Sequence, residues 1–163
     1  MKIFCDLDGV LRDLHMAVMG FPASEQKEWF CSKDGVDYIN IVHNNLDLLV
    51  SSPRTVYFDI IVEAHRNKTL NLLTCQPISW REKTSEWIVN NIDVSSDTTF
   101  VSNPKEKLKM LKDGDYIIED YPLFEDYSKV ILIDYPYNRN VKRPLFRVKS
   151  KGQLRRVLTQ IGV

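Results

Sequence analysis

Apolar and polar positions fall into short blocks along this chain. Ile3-Phe4-Cys5 is an apolar run that stops at two aspartates, Asp6 and Asp8, followed by Gly9. Similar runs recur at 69–73, 98–101, 116–118 and 130–133, each too short for a helix and each bounded by polar residues. Together with 2–5 they are predicted as buried strands. Between them lie stretches with helical spacing. In 53–66, Val56, Tyr57, Ile60, Ile61 and Ala64 share one face, Ser52 can cap it and Pro53 suits a first turn. In 79–90, Trp80, Trp87 and Ile88 share a side, and 105–112 closes at Asp113-Gly114. After Ser150, a cap residue, Leu154, Val157, Leu158 and Ile161 keep the helical period.

Strands alternating with helices predict an α/β fold, a Rossmann-like parallel sheet of about five strands with helices on both faces. Residues 13–52 break the rhythm. They hold Trp29, Phe30, Tyr38, Ile39 and the apolar run at 46–50, with mainly helical character. We therefore expect a core domain of 1–12 and 53–163 and a small helical cap of 13–52. Such an insertion lies over the carboxyl ends of the strands, where open α/β sheets place their ligands.

Composition narrows the partner. Of 163 residues, 22 are Lys or Arg and 22 are Asp or Glu, so the net charge is zero. A protein that grips many phosphates of a polymer is usually basic, so a small substrate is favoured over long nucleic acid. Three cysteines, at 5, 31 and 75, form no CxxC pair, which points to reduced thiols and a cytoplasmic setting. The first apolar run stops too early for a signal peptide, and none is long enough to span a bilayer. Asn67-Lys68-Thr69 is formally a glycosylation sequon without meaning in that setting. There is no GxxxxGK[ST] loop and no GxGxxG.

Four features fall at or just past predicted strand ends: Asp6 and Asp8, then Thr74 in LLTCQP, then Lys107 in NPKEKLKML, then Glu119-Asp120 in DYIIEDYP. In a parallel sheet these positions converge at one edge. Several carboxylates together repel unless a cation sits among them, and an all-oxygen site suits Mg²⁺. A hydroxyl and an ammonium beside it suit a phosphoryl group. One aspartate is then free to be a nucleophile and the other to move protons.

With these residues in this order, the chain resembles the haloacid dehalogenase (HAD) superfamily of phosphatases over roughly residues 2–135. Within it the chain is most similar to 5′(3′)-deoxyribonucleotidases of phage and bacterial type, through DLDGVLRD, KLKMLKDGDYIIED and ILIDYPYNR. The resemblance implies Asp6 as nucleophile, Asp8 as acid and base, Thr74 and Lys107 on the phosphate, and Leu7, Asp8 and Cys75 amides around its oxygens. It implies Mg²⁺ on Asp6, the Asp8 carbonyl and Asp120, with Glu119 direct or through water. Two departures stand out: Glu119-Asp120 replaces the usual Asp-Asp, and Cys75 follows Thr74 where Ser is common. Lys105 competes with Lys107, which is preferred for its twelve-residue distance to Glu119.

The expected function is a Mg²⁺-dependent phosphomonoesterase, with deoxyribonucleoside monophosphates as first substrates and a homodimer left open. Two alternatives stand beside it. One keeps the chemistry on a sugar phosphate or a polynucleotide 3′-phosphate, helped by Arg139, Lys142, Arg143, Arg147, Lys149, Lys151, Arg155 and Arg156. The other is a degenerate HAD binding module, against which the retention of Asp6 and Asp8 argues. His15, His43 and His65 lack metal spacing, though His15 can face the site from the start of the cap. Trp29, Phe30 and Tyr38 either stack on a base or form the cap's own core.

Overall fold

The computed structural model describes all 163 residues, Met1–Val163. Its centre is a parallel sheet of six strands. In chain order they are β1 (Ile3–Cys5), β4 (Leu70–Cys75), β5 (Ser96–Val101), β6 (Tyr116–Glu119), β7 (Val130–Ile133) and β8 (Phe146–Val148). The spatial order is β5-β4-β1-β6-β7-β8. The chain leaves β1 to build β4 and β5 on one side, then crosses over to build β6, β7 and β8 on the other. The carboxyl end of β1 is therefore the topological switch point, where such sheets bind ligands.

Strand residues alternate between two cores, as a pleat requires. Cys5, Leu72, Ile118, Ile131 and Ile133 face a large cluster with Phe58 and Ile61 of α4 (Phe58–Ala64), Trp87 of α5 (Arg81–Asn91) and Leu154 and Leu158 of α7 (Lys151–Gln160). Leu73, Ile117, Val130 and Leu132 face the other way. There they meet Leu111, Phe124 and Tyr127, beside α6 (Pro104–Met110). Helices thus cover the sheet on both faces.

The cap residues form α1 (Leu14–Met19), α2 (Tyr38–Asn44) and α3 (Asp47–Ser51), with a short antiparallel ribbon of β2 (Ser32–Lys33) and β3 (Val36–Asp37). The cap is therefore not purely helical. Its own cluster of Leu14, Val18, Val42 and Leu49 includes Trp80, from the turn that leads into α5. That shared residue joins cap to core.

Three local expectations change. A sixth strand, β8, pairs with β7 through Phe146–Val148. The helix expected from 53 begins only at Phe58, because residues 53–55 are held extended. The Asp13 amide donates to the Pro53 carbonyl at 2.7 Å and the Thr55 amide to the Leu11 carbonyl at 2.8 Å. Val56 is accordingly exposed, and the Ser52 hydroxyl bonds the Leu48 carbonyl rather than capping α4. Ser150, by contrast, does cap α7, accepting from the Gln153 amide. No helix is long and apolar enough to cross a membrane.

Beyond β7 a buried asparagine ties the sheet edge together. Asn138 Nδ2 donates to the carbonyls of Asp120 and Ile133 at 2.9 and 2.8 Å, and its Oδ1 accepts from the Tyr135 amide at 3.1 Å. Asn138→Ala strands these three groups and should lower the unfolding free energy by about 2–4 kcal/mol in denaturant titration. A loss under about 0.5 kcal/mol would show that the network carries no stability.

Candidate active site at the switch point

The site forms because β1, β4 and β6 end side by side. Asp6 follows β1, its amide still pairing with the Ile118 carbonyl of β6 at 2.9 Å. Glu119 ends β6 and Asp120 follows it. One carboxylate oxygen from each of Asp6, Glu119 and Asp120 lies within 4.8 Å of the others, and all three residues are buried.

Lys107 enters from α6, whose first turn is set by Pro104 and by Asn103, which accepts from the Lys105 amide. Its Nζ lies 2.8 Å from both Asp6 Oδ1 and Glu119 Oε2. Lys107 is only 2% exposed, whereas Lys105 points outward to Glu125. The geometry thus separates the two candidates in favour of Lys107. Burial alone would push its ammonium down, but the Asp6 and Glu119 charges outweigh burial and hold it above its ordinary value.

The carboxylates are short of positive charge. Burial, with the neighbouring Glu119, pushes Asp6 well above the carboxylate range despite Lys107. Burial and the Asp6 charge push Asp120 up to about 7, against a hydrogen bond from the Tyr137 hydroxyl and the pull of Lys107. The Lys107 contact to Asp6 Oδ1 lacks hydrogen-bond alignment, so that oxygen is a buried acceptor without a hydrogen bond. Three acids, one base and an orphaned oxygen fit a hard divalent cation.

Glu119 differs from its neighbours. Its Oε1 accepts from the amides of Asp120 and Tyr121 at 3.1 and 3.3 Å, and its Oε2 accepts from Lys107. Both oxygens therefore already serve protein donors, and Glu119 chiefly fixes Lys107. The length of its side chain lets it reach back to the backbone beside it.

The expected gathering of four acidic side chains is corrected to three. Asp8 lines the same cavity but lies outside the cluster, its Oδ1 and Oδ2 accepting from Arg12 at 2.7 and 3.1 Å, and Oδ2 also from Gln76 at 2.6 Å. Arg12 is fully buried and also donates to the Leu49 carbonyl in the cap at 3.0 Å and to the Thr84 hydroxyl at 3.3 Å. Asp8 is thereby linked to both cap and core. Its carbonyl remains the only part of it suited to a metal.

The loop after Asp6 is tightly wound, since the Leu7 carbonyl accepts from the amides of residues 10, 11 and 12. The Leu7 and Asp8 amides donate to no protein group, as a phosphate cradle needs. Gly9 is required here. Its φ is +82°, and a Cβ would stand 2.0 Å from Asp120 Oδ2. Thr74 is buried at the end of β4 and its hydroxyl has no protein hydrogen bond. The Cys75 thiol, pushed up to about 11 by burial, stays protonated and is no nucleophile.

Above these groups lies a cavity of about 720 Å³. The cap contributes His15, Trp29, Phe30 and Tyr38 to its wall, and the core contributes Tyr121 and Tyr137. Trp29 packs on Tyr121 and Tyr137 with ring centroids 5.3 Å away in each case, so it reaches across to the core. Phe30 is 79% exposed at the rim. Tyr38 also packs against the cap cluster.

Sequence reasoning missed Arg12, Gln76, Tyr137 and Asn138. Arg12 follows the Asp-Gly turn closely enough to have been a candidate, since Asp8 and Arg12 are four residues apart. Tyr137 and Asn138 lie within the ILIDYPYNR stretch, but no spacing rule ties them to Asp120. Comparison of the chain with models of known families, with curated proteins and with solved structures finds no match.

A buried carboxyl with a raised value stabilises the fold while protonated. For Asp120 that contribution is complete below the ordinary 3.8 and is lost as pH rises through about 7. His15 and His65, held down by burial, act in the opposite sense, but only below about pH 6.5. From about pH 6.5 to 8, with chelator present, the wild-type melting temperature should fall relative to that of Asp120→Asn. Parallel curves would contradict the assignment.

Proposed function

We propose that the chain is a Mg²⁺-dependent phosphomonoesterase of the HAD kind, acting through an aspartyl-phosphate on nucleoside monophosphates, deoxyribonucleotides first. The observation that carries this reading is Lys107, buried between Asp6 and Glu119, with Asp120 beside them at the floor of an aromatic cavity.

Asp6, Asp120 and the Asp8 carbonyl would hold the ion, with Glu119 behind them. When bound, Mg²⁺ supplies the positive charge this cluster lacks and draws electron density from the phosphoryl oxygens. Lys107, the Thr74 hydroxyl and the Leu7 and Asp8 amides hold those oxygens. An Asp6 oxygen attacks phosphorus as the ester P–O bond breaks. The electron pair leaves with the alkoxide, which takes a proton from Asp8. Asp8 then accepts a proton from water as water attacks phosphorus, which releases inorganic phosphate and restores the Asp6 carboxylate. To do so Asp8 must free at least one oxygen from Arg12, so turnover requires Asp8 to rotate or the cap to shift.

The cavity wall speaks to the substrate. Lys107 is its only lysine or arginine, and it already faces two carboxylates. Nothing there meets the neighbouring phosphates of a polynucleotide end. Of the basic residues at 139–156, Arg147 is tied to Asp134 and to the Asn138 and Val141 carbonyls. None of them lines the cavity. A monophosphate with an uncharged, flat leaving group suits it best.

The purified chain should release phosphate from an aryl phosphate with Mg²⁺ and not with EDTA. Asp6→Asn should reduce the rate by at least about 10³-fold. Phosphate release that persists in Asp6→Asn would exclude Asp6 as nucleophile, and its absence from the wild type on aryl phosphates and nucleotides alike would favour the binding-module alternative.

A further inference from the structure

A short chain of contacts runs from the cap to one carboxylate of the acidic cluster. Trp29 of the cap packs on Tyr137, with ring centroids 5.3 Å apart and planes at 56°, and meets Tyr121 edge-on at 85°. The Tyr137 hydroxyl donates to Asp120 Oδ2. Asp120 is one of the three acids whose carboxylate oxygens lie within 4.8 Å of one another. One side chain, Tyr137, thus touches both a cap aromatic and a candidate metal ligand.

The core side of this chain is firmly held. Tyr137 sits in the turn Pro136–Asn138, and the buried Asn138 that closes it donates to the carbonyls of Asp120 and Ile133. The Tyr137 ring also packs on Tyr135 with centroids 5.5 Å apart, and the Tyr135 hydroxyl donates to the Gly9 carbonyl at 2.8 Å. Gly9 confines Asp120 Oδ2 from its other side, where a Cβ would stand 2.0 Å away. Of the two Asp120 side-chain oxygens, Oδ2 accepts a protein hydrogen bond and Oδ1 has no protein donor.

The cap side is held more lightly. Trp29 lies in residues 26–31, which carry no helix or strand, and it is 36% exposed. Its place is therefore set by tertiary packing on Tyr121 and Tyr137 rather than by local backbone structure. A carboxylate fixed through one oxygen presents the other in a defined direction, and partners that orient a ligand in this way govern metal affinity alongside the ligands themselves. A phenol has a single hydrogen to donate, so the pose of the Tyr137 ring decides whether Asp120 keeps that partner.

We infer that Tyr137 is a positioning residue that orients Asp120 toward a divalent cation, and that Trp29 seats Tyr137, so that cation uptake at the cluster and seating of the cap segment 26–31 favour each other. This inference rests on the Mg²⁺ site of the reading above and not on its phosphoryl chemistry. Tyr135 and Asn138 belong to the fixed core, whereas Trp29 is the contact that can leave. With Trp29 seated, the Tyr137 hydroxyl stays on Oδ2 and Oδ1 keeps its direction. Linkage makes the effect reciprocal: the factor by which Trp29 raises ion affinity is the factor by which the ion favours the seated cap.

The test uses the full chain and Mg²⁺ alone, without substrate. In calorimetry, Asp120→Asn should abolish Mg²⁺ binding, which locates the ion. Tyr137→Phe removes the hydroxyl but keeps the ring against Trp29 and Tyr135, and should weaken Mg²⁺ binding by about tenfold. Trp29→Leu should weaken it by about two- to tenfold, the worth of an aromatic contact. The double variant should bind no more weakly than Tyr137→Phe, because Trp29 acts through that hydroxyl. A second readout uses the wild type. Trp80 and Trp87 are 3% and 0% exposed, so acrylamide quenching of tryptophan fluorescence reports chiefly on Trp29. Saturating Mg²⁺ should lower that quenching in the wild type and leave it unchanged in Tyr137→Phe. Because the wild-type quenching needs no substitution, it decides the matter even where a variant folds poorly. Mg²⁺ binding with unchanged quenching, unchanged affinity in the single variants, or losses that simply add in the double variant would overturn the link and leave the ion site standing. A wild type that binds no Mg²⁺ would overturn the link and the Mg²⁺ site together.

Discussion

The ammonium of Lys107, shut between the carboxylates of Asp6 and Glu119, is the interaction on which the rest of the structure depends. A lysine this deeply buried is tolerable only when its charge is met at close range. Asp6 and Glu119 meet it because β1 and β6 are adjacent parallel strands that end at the same rim. Asn103 and Pro104 start α6 where its Lys107 can reach that rim. Removing any of these elements leaves a buried charge unanswered, so the fold and the cluster hold each other in place.

The same cluster is deliberately unbalanced. Lys107 serves two acids, while Asp120 receives only a tyrosine hydroxyl near its side chain and sits against Gly9. Burial and their mutual repulsion therefore raise Asp6 and Asp120 above the ordinary carboxylate range. That surplus of negative charge favours uptake of a cation. Glu119 does not add to the surplus in the same way, because its oxygens already face Lys107 and two amides. One layer behind, Arg12 holds Asp8 and touches the cap through the Leu49 carbonyl. The position of Asp8 is thereby linked to the position of the cap.

Much of this was legible in the chain. Short apolar runs ending in Asp6, Thr74 and Glu119 place those residues on one sheet edge once the sheet is parallel, and alternation of strands and helices argues for a parallel sheet. The distance from Lys107 to Glu119 separates it from Lys105, and burial agrees. Other features were hidden because long-range contacts override local preference. Pro53 and Thr55 look like the start of a helix, yet backbone hydrogen bonds to Asp13 and Leu11 hold that stretch extended. Trp80 shares a helical period with Trp87, but it packs with the cap while Trp87 packs in the core. β8 is too short for its alternation to register. Asp8 reads as one more carboxylate of the cluster, and only the position of Arg12 shows that its side chain is engaged elsewhere.

The most direct measurement is a crystal structure of the protein grown with Mg²⁺ and tetrafluoroaluminate, a mimic of a phosphoryl group in flight. The account predicts one ion between Asp6 and Asp120, and the mimic against an Asp6 oxygen with Lys107 and Thr74 on its fluorines. An empty rim at saturating concentrations of both, with Lys107 still locked between Asp6 and Glu119, would contradict it and leave the cluster a purely structural ion network.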